Sequence, residues 1–353
     1  MTSSELFYEM ETELLKNLVR YLSKGSIGSA QWQLDKLHEM GKLKSVNANT
    51  IAKYSREAIK EAEREIQRAT IRGASVIDKA SEGHTDKLNT AVPANADERI
   101  LKTAQSWSNI AANGLNRVGT SLLNKSVAMY QQGIDSASRA VAEQVTGAIT
   151  GRQAIAQMCT EWSRTGIGAL VDKSGRTWTP EAYAQTLVRT NMRNATTESQ
   201  LERMDELDED LIEVSSHAGA RPLCAPYQGH VYSRTGKSTQ YPSLNSTSYG
   251  EPAGLFGINC GHVMYPYFTG TKQTYKPTDD SEQNAEDYKQ SQKQRQIERS
   301  IRSAKRELEL QKINGDTSAV SKAQERVSNR QAAMRNFIDE SGRTRRYDRE
   351  QIY

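Results

Sequence analysis

The chain has 353 residues, enough for two or three domains, but only 36% of them are apolar and the mean hydropathy is −0.74. Its formal net charge of +4 is unremarkable for that length. No segment approaches the roughly 20 apolar residues of a membrane helix. The acidic N-terminus lacks the basic and apolar regions of a signal peptide, so we predict a protein made in, and acting from, a cytoplasm. Phe and Trp occur only four times each, which is typical of an elongated, helix-rich molecule with thin cores or of a subunit completed by its neighbours.

The positive charge is concentrated near the C-terminus. Residues 289–349 contain 16 Lys or Arg against 8 Asp or Glu, so the rest of the chain is mildly acidic. A basic arm on an acidic body indicates a polyanionic partner or an acidic partner surface. The alternative is a solvated helix face with no partner.

Helical periodicity dominates the first 147 residues and predicts four helices. The first covers about 24 residues, the second contains Trp32, the third ends near Ala80 and the fourth covers 97–147. The predicted boundaries between them are Ser3 or Ser4 as the first N-cap, Gly41 as the end of the second helix, and Asn47 or Asn49 as the start of the third.

The helical sequence pattern ends near Val171. The turn residues 172–175 separate two short extended runs and predict a hairpin. Thr179 followed by Pro180 predicts the start of a helix, because Thr favours the N-cap position and Pro the first helical turn. Alternating strands are predicted at 211–215 and 230–232, and the Gly-, Pro- and Tyr-rich stretch 219–270 predicts a compact module with little regular structure.

Beyond Pro277 the pattern is helical again. Ile297, Ile301, Ala304 and Leu308 form an apolar seam, and a turn at 314–316 leads into a second seam. We therefore predict an antiparallel helical hairpin. The fold prediction is mainly α: an elongated helical N-terminal region (1–168), a small loop-rich α+β Cys/His module (169–276), and a basic helical hairpin with its tail (277–353).

Four residues of the Cys/His module could carry chemistry: His217, Cys224, Cys260 and His262. Two thiolates and two imidazoles suit tetrahedral zinc, and a thin module gains stability from such a staple. Cys260 and His262 lie two residues apart, so an extended backbone would turn them to the same side. The spacings are not among the common zinc motifs, however. The alternative is a pair of buried thiols with histidines bonded to loop carbonyls.

A second alternative is a Cys–His nucleophile pair. The sequence supplies no third orienting group and no oxyanion site for such a pair. Cys159, which follows Met158 in a helical pattern, is predicted to be core packing. With only three cysteines in all, a disulfide framework is not expected and the thiols are predicted to be reduced.

Four arginines of the first C-terminal helix recur at helical spacing and predict a cationic stripe: Arg295, Arg299, Arg302 and Arg306. Like charges at this spacing repel unless an anionic surface faces them. DNA phosphates or an acidic partner surface would supply the negative charge that these four arginines need. No base-reading motif is present, so any nucleic-acid contact should be independent of sequence.

Several long strings resemble the phage minor capsid protein 2 family and, more distantly, the head-morphogenesis proteins of Mu-like phages. The resemblance spans nearly the whole chain. It is carried by EVSSHAGARP (213–222), YQGHVYS (227–233), YPSL (241–244), YGEPAGLFGINC (249–260), YPY (265–267) and GRTRRYDREQI (342–352). The family pattern has Arg where this chain has Gly261, and often His where it has Cys224; a Cys-for-His exchange preserves a zinc ligand.

The resemblance implies a virion component present in few copies and without catalytic activity. We therefore expect a structural minor capsid protein of a tailed phage, located in the head and assembled in the host cytoplasm. Its expected partners are the portal protein, the major capsid protein and packaged DNA, with no small-molecule substrate and no cofactor beyond a structural zinc. The alternative functions are a metal-dependent hydrolase that uses the Cys/His module during infection, and a sequence-independent DNA-binding phage protein.

Overall fold

The computed structural model describes residues 1–82, 96–143, 150–168, 170–277 and 281–352. Over these ranges the chain forms seven α-helices and two small antiparallel sheets. The predicted fold class, mainly α with a small α+β module, is confirmed. No helix in these ranges combines the length and apolar character needed to cross a membrane.

The chain divides into two compact units, each assembled from separate stretches of sequence. Unit 1 contains residues Met1–Ala58, Leu115–Ala184 and Lys293–Tyr353, and unit 2 contains Ile59–Gly114 and Gln185–Gln292. The predicted division at 168/169 and 276/277 stays a prediction, and Ala169 itself lies outside the described residues.

The first helix of unit 1, α1 (Ser3–Leu22), begins as a capping box. The Thr2 hydroxyl accepts the Glu5 N–H at 3.3 Å, while the Glu5 carboxylate accepts the Thr2 N–H at 2.7 Å. Thr2, and not Ser3 or Ser4, is therefore the N-cap. Ser3 is buried inside the helix. Leu14, Leu18 and Leu22 recur at helical spacing and are fully buried.

The next helix, α2 (Ala30–Ser81), is continuous over 52 residues, so the predicted interruption between Gly41 and Asn47 is wrong. A glycine inside a helix costs about 1 kcal/mol relative to alanine, which long neighbouring runs outweigh. Asn47 is not a cap: its buried amide donates to Ser126 Oγ at 3.1 Å, and its Oδ1 accepts the Asn17 amide at 3.1 Å. Polar residues of this kind look like helix ends in sequence, although here they join three helices.

Two further helices complete the N-terminal half: α3 (Ala96–Glu143) and α4 (Gly151–Thr165). The predicted fourth helix is thereby confirmed up to Glu143, and its remaining residues, 144–147, lie outside the described residues. In α4 the Cys159 thiol is buried, as predicted for core packing, and burial raises its pKa.

A short hairpin follows, with β1 (Leu170–Val171) antiparallel to β2 (Thr177–Trp178), as the turn residues predicted. Asp172 organises its turn. One carboxylate oxygen accepts the backbone N–H groups of Ser174 and Arg176 at 3.0 and 2.9 Å, and the other accepts the Trp178 indole N–H at 2.9 Å. Hydrogen bonds from Ser174, then from Trp178 and the backbone of Arg176, lower the pKa of Asp172 to about 2.

We expect the hairpin to weaken only in strong acid. A carboxyl group with a lowered folded-state pKa contributes stability above its unfolded pKa, about 4, and loses it as the pH falls through the folded value, about 2. In the folded protein the indole N–H resonance of Trp178 should therefore shift with a midpoint near pH 2, where Asp172 takes up its proton. In Asp172→Asn, which keeps one acceptor but has no charge to titrate, this shift should be absent; its persistence would assign the transition to another group.

Unit 1 also contains a buried polar cluster around Glu11. The Glu11 carboxylate accepts the Ile167 N–H at 2.8 Å and an Arg306 guanidinium N–H at 3.0 Å. The Glu11 and Arg306 side chains are 1% and 5% exposed, and the guanidinium carbon of Arg306 lies 4.1 Å from the centre of the Tyr8 ring. The cluster joins α1 to the C-terminal helices and to the loop after α4.

The two C-terminal helices, α6 (Ser281–Asn314) and α7 (Thr317–Ser341), are joined by a tight turn. Ile301 of α6 packs with Met334 and Phe337 of α7. Ala304 and Leu308, which are closer to the turn, pack with Ala323 and Val327, which are closer to the turn on α7. This order makes the helices antiparallel, as the two seams predicted. Asp316 caps α7 by accepting the Ala319 N–H at 3.0 Å.

Unit 2 contains the part of α5 (Pro180–Glu206) from Gln185 onward and a three-stranded antiparallel sheet. Thr179 Oγ1 accepts the Ala182 N–H at 3.2 Å, which confirms the predicted cap. The sheet has the order β4 (Val231–Ser233), β3 (Leu211–Val214), β5 (Met264–Pro266). The first two strands match the predictions. The third was not predicted, because three residues flanked by loops give too short an alternation.

Loops of unit 2 pack closely around this sheet. Residues from the sheet, from α5 and from the loops form one apolar cluster that includes Met204, Ile212, Leu255 and Cys260. Gly229, with φ +69°, lies directly against the backbone of Lys276. The Cys and His residues of interest are therefore held by a well-packed set of loops.

Candidate functional site

The structure brings three of the four predicted Cys and His residues together. The sulfur atoms of Cys224 and Cys260 are 3.9 Å apart, and Cys260 Sγ lies 3.3 Å from His262 Nδ1. All three ligand atoms lie within 4.8 Å of one another, and all three residues are buried. Cys260 and His262 are only two positions apart, and their side chains contact each other directly.

The orientation of the His262 ring is set by Gln228. The Gln228 side chain is buried, and its Oε1 lies 3.0 Å from His262 Nε2 and also accepts the His217 backbone N–H at 3.0 Å. Because that oxygen can only accept, Nε2 carries the proton in this contact. His262 Nδ1 is then left with a lone pair directed at the sulfur of Cys260.

His217 lies beside the cluster and is not part of it in this arrangement. Its ring stacks on that of His262, with 4.5 Å between the centres and 28° between the planes. Its Nδ1 is 3.1 Å from the Ala218 carbonyl oxygen, so Nε2 is the nitrogen that keeps a lone pair. His217 is exposed, whereas the other three residues are buried.

Two arginines fix the backbone around the sulfur atoms. Arg193 of α5 donates to the Cys260 carbonyl at 2.9 Å and also to the His262 carbonyl. Arg221 donates to the Ile258 and Gly254 carbonyls at 2.8 and 3.2 Å, and its guanidinium is 3.7 Å from Cys224 Sγ. One cation therefore orients the Cys260–His262 segment, and the other faces the Cys224 sulfur.

The thiols differ in proton affinity. Hydrogen bonds from the Cys224 thiol and from the backbone N–H of His262, which lies 3.4 Å from Cys260 Sγ, lower the pKa of Cys260 below that of a free cysteine. The same contact with Cys260, together with burial, raises the pKa of Cys224. The arrangement favours a thiolate at Cys260, and a thiolate is the form that binds soft metal ions or acts as a nucleophile.

Sequence reasoning missed Arg193, Arg221 and Gln228. Arg221 and Gln228 lie in two of the sequence strings that carry the family resemblance, but a single sequence does not indicate that their side chains point towards the Cys and His residues. Arg193 lies in an ordinary amphipathic helix and gives no local signal. Its role depends on a segment 67 residues away, as its bond to the Cys260 carbonyl shows.

The predicted arginine stripe is divided by the fold. Arg295 and Arg299 are exposed. Arg302 makes a bidentate ion pair with Glu181 at 2.6 and 3.0 Å, and Arg306 is buried against Glu11. The two later arginines therefore already have carboxylate partners within unit 1.

The comparisons with known proteins agree with one another. The sequence model of the family described as phage minor capsid protein 2 matches residues 2–339. The chain belongs to the phage minor capsid protein 2 family. The predicted resemblance is thereby confirmed over almost the whole chain.

Two relatives support a structural role for this minor capsid protein. A structural protein of Lactococcus phage LL-H is 28% identical over 340 residues, covering 92% of this chain and 89% of the relative. A structural protein of Lactococcus phage mv4 is 35% identical over 115 residues, covering 32% of this chain and 93% of the relative. No solved structure gives a significant match. The protein is a phage structural protein of minor capsid type.

Gly261 explains how this minor capsid protein accommodates the stacked imidazoles. A Cβ atom at position 261 would lie 2.9 Å from His217 Nε2. Any larger residue there would displace the His217 ring. The glycine between Cys260 and His262 is therefore what allows His217 to approach the cluster.

Proposed function

We propose that this protein is a low-copy, non-catalytic component of the phage head that binds at the portal and contacts packaged DNA. The observation that supports it most strongly is the family match over residues 2–339. Head proteins act by binding other head proteins, and the polar composition of the chain suits surfaces completed by neighbours. The proposed partners are the portal protein and the major capsid protein, joined during assembly in the host cytoplasm.

The burial of the Cys/His cluster favours a structural over a catalytic role. Cys260 and His262 are 7% and 1% exposed. A cysteine nucleophile has to reach its substrate, and reactive cysteines lie in partly exposed positions. Cys260 Sγ instead faces Cys224 and His262. This arrangement argues against an enzyme with a cysteine nucleophile and supports the proposal of a structural protein.

The proposed DNA contact is assigned to the exposed cations of the α6–α7 hairpin. Arg295 and Arg299 are exposed on α6, and Arg330 and Arg335 are exposed on the facing end of α7. Arg302 is half-buried and Arg306 is buried, so neither belongs to this exposed surface. Contacts made by such side chains go to phosphates, so binding should be independent of sequence and should weaken steeply with salt.

Co-expression with the portal and major capsid proteins tests the assembly role. The chain should sediment with procapsids that contain the portal and should be missing from procapsids assembled without it. A chain that remains in the soluble fraction in both cases would overturn the assembly role. Equal incorporation with and without portal would overturn portal binding while leaving a capsid contact.

Binding of random duplex DNA tests the second part. The charge-neutral double variant Arg295→Gln/Arg299→Gln should weaken binding and lower the slope of log affinity against log salt by about 2. The matched control is Lys42→Gln/Lys44→Gln, which removes two exposed cations from α2 and should leave the slope unchanged. Equal slopes for the two double variants, or no binding at low salt, would contradict DNA contact by this surface.

A further inference from the structure

We propose that Cys224, Cys260 and His262, with His217 as the fourth ligand, bind one zinc ion that holds the loops of unit 2 together. The inference goes beyond the head-protein function and does not depend on it. It rests on the distances between ligand atoms, on the orientation of two imidazoles, on the charge of the site and on the position of its residues in the chain.

The distances match the edges of a zinc tetrahedron. Zinc–sulfur bonds of about 2.3 Å and zinc–nitrogen bonds of about 2.05 Å place two thiolates about 3.8 Å apart, and a thiolate about 3.5 Å from an imidazole nitrogen. The corresponding distances here are 3.9 Å for Cys224 and Cys260, and 3.3 Å for Cys260 and His262. The third pair of ligand atoms, from Cys224 and His262, lies within 4.8 Å, so these two side chains move towards each other when an ion binds between the three atoms.

Both imidazoles are oriented as zinc-binding histidines are. Such histidines donate one ring N–H to a fixed acceptor and bind metal through the other nitrogen. His262 donates through Nε2 to Gln228 Oε1, which leaves Nδ1 for the ion. His217 donates through Nδ1 to the Ala218 carbonyl, which leaves Nε2. To bind the ion, the His217 ring has to rotate away from the His262 ring while its Nδ1 keeps the hydrogen bond to the Ala218 carbonyl oxygen.

The charge of the filled site suits its burial. Two thiolates balance the charge of Zn²⁺ and both imidazoles remain neutral, so a site with no net charge is buried. Arg221 lies 3.7 Å from Cys224 Sγ and would stabilise that thiolate further. The Arg193 bonds to the Cys260 and His262 carbonyls hold these two ligands in place before the ion binds.

The four residues also connect parts of unit 2 that have little regular structure. His217 follows β3, Cys224 lies at the start of a three-residue 3-10 helix, and Cys260 and His262 precede β5. One ion would link all three segments. Loops of this length gain much stability from such a link because it removes chain entropy from the unfolded state.

Metal analysis of the untagged full-length protein tests the proposal. About one zinc per chain should survive dialysis, and removing it with a chelator should lower the melting temperature by about 10 °C. Cys260→Ser and His262→Ala should each lose the zinc. His230→Ala, which removes an exposed histidine of the same unit, and Cys159→Ala, which removes the remaining cysteine, should retain it.

The wild-type protein gives a second readout if the ligand variants fail to fold. Replacement of zinc by cobalt should produce thiolate-to-cobalt absorption bands, and His217→Ala should change the cobalt d–d spectrum by replacing an imidazole with water. Absence of stoichiometric metal together with no change of melting temperature on adding zinc would overturn the site. An unchanged cobalt spectrum in His217→Ala would overturn the fourth ligand.

Discussion

Replacing Arg306 with alanine is expected to lower the free energy of unfolding by about 3–5 kcal/mol, because it leaves the Glu11 carboxylate buried without its cation. Glu11 is 1% exposed and cannot regain its hydration unless unit 1 opens. The substitution also removes the contact between the Arg306 guanidinium and the Tyr8 ring. Urea denaturation followed by circular dichroism measures the loss.

An exposed ion pair on the same helix provides the control. Lys312 and Glu309 are 2.9 Å apart with side chains 53% and 39% exposed, so Lys312→Ala should cost less than about 1 kcal/mol. The double substitution Glu11→Gln/Arg306→Met should recover most of the stability, because it removes both buried charges while the new amide oxygen can still accept the Ile167 N–H. A cost for Arg306→Ala equal to that of Lys312→Ala would show that the buried pair is not formed in solution.

Gly229→Ala is expected to destabilise the protein by about 2–5 kcal/mol. The backbone at Gly229 has φ +69°, which L-residues with a Cβ rarely adopt, and the new Cβ would lie 2.2 Å from the carbonyl carbon and oxygen of Lys276. Backbone atoms cannot rotate away as a side chain does, so the loop at Lys276 has to move. A melting curve of the variant would show the effect.

Gly250→Ala separates the two causes of that loss. Gly250 has φ +89° but nothing within 4 Å of the would-be Cβ, so it should cost only the conformational penalty of about 1–2 kcal/mol. The difference between the two variants measures the overlap with Lys276. Equal losses would mean that the Lys276 loop gives way freely.

Much of the fold follows from local patterns in the sequence. The cap at Thr179, the hairpin turn at Asp172 and the paired seams around Ile301 each depend on residues close together in the chain, and each was predicted correctly. The long helix α2 was not, because glycine and asparagine near its middle carry the signals of a boundary. Only tertiary contacts show that Asn47 is bonded to residues of two other helices.

The grouping of three Cys and His residues at the candidate site was predictable from the sequence, but the side chains that support them were not. Residue types alone selected Cys224, Cys260 and His262, since thiols and imidazoles are few in this chain. Their contacts with Gln228 and Arg193 depend on how segments far apart in the chain fold together. A single sequence does not indicate such contacts. The same limit applies to the arginine stripe: helical spacing placed four cations in a row, but not the carboxylates of Glu181 and Glu11 that engage two of them.

The chain of side-chain bonds from Asn17 through Asn47 to Ser126 has a consequence for how uniquely unit 1 folds. Leucines and alanines pack almost equally well if one helix slides past another by a turn. These amides and this hydroxyl do not, since each would lose its partner at about 1–3 kcal/mol in apolar surroundings. The three polar groups thus fix how the helices are aligned along one another, whereas hydrophobic burial alone would tolerate several alignments.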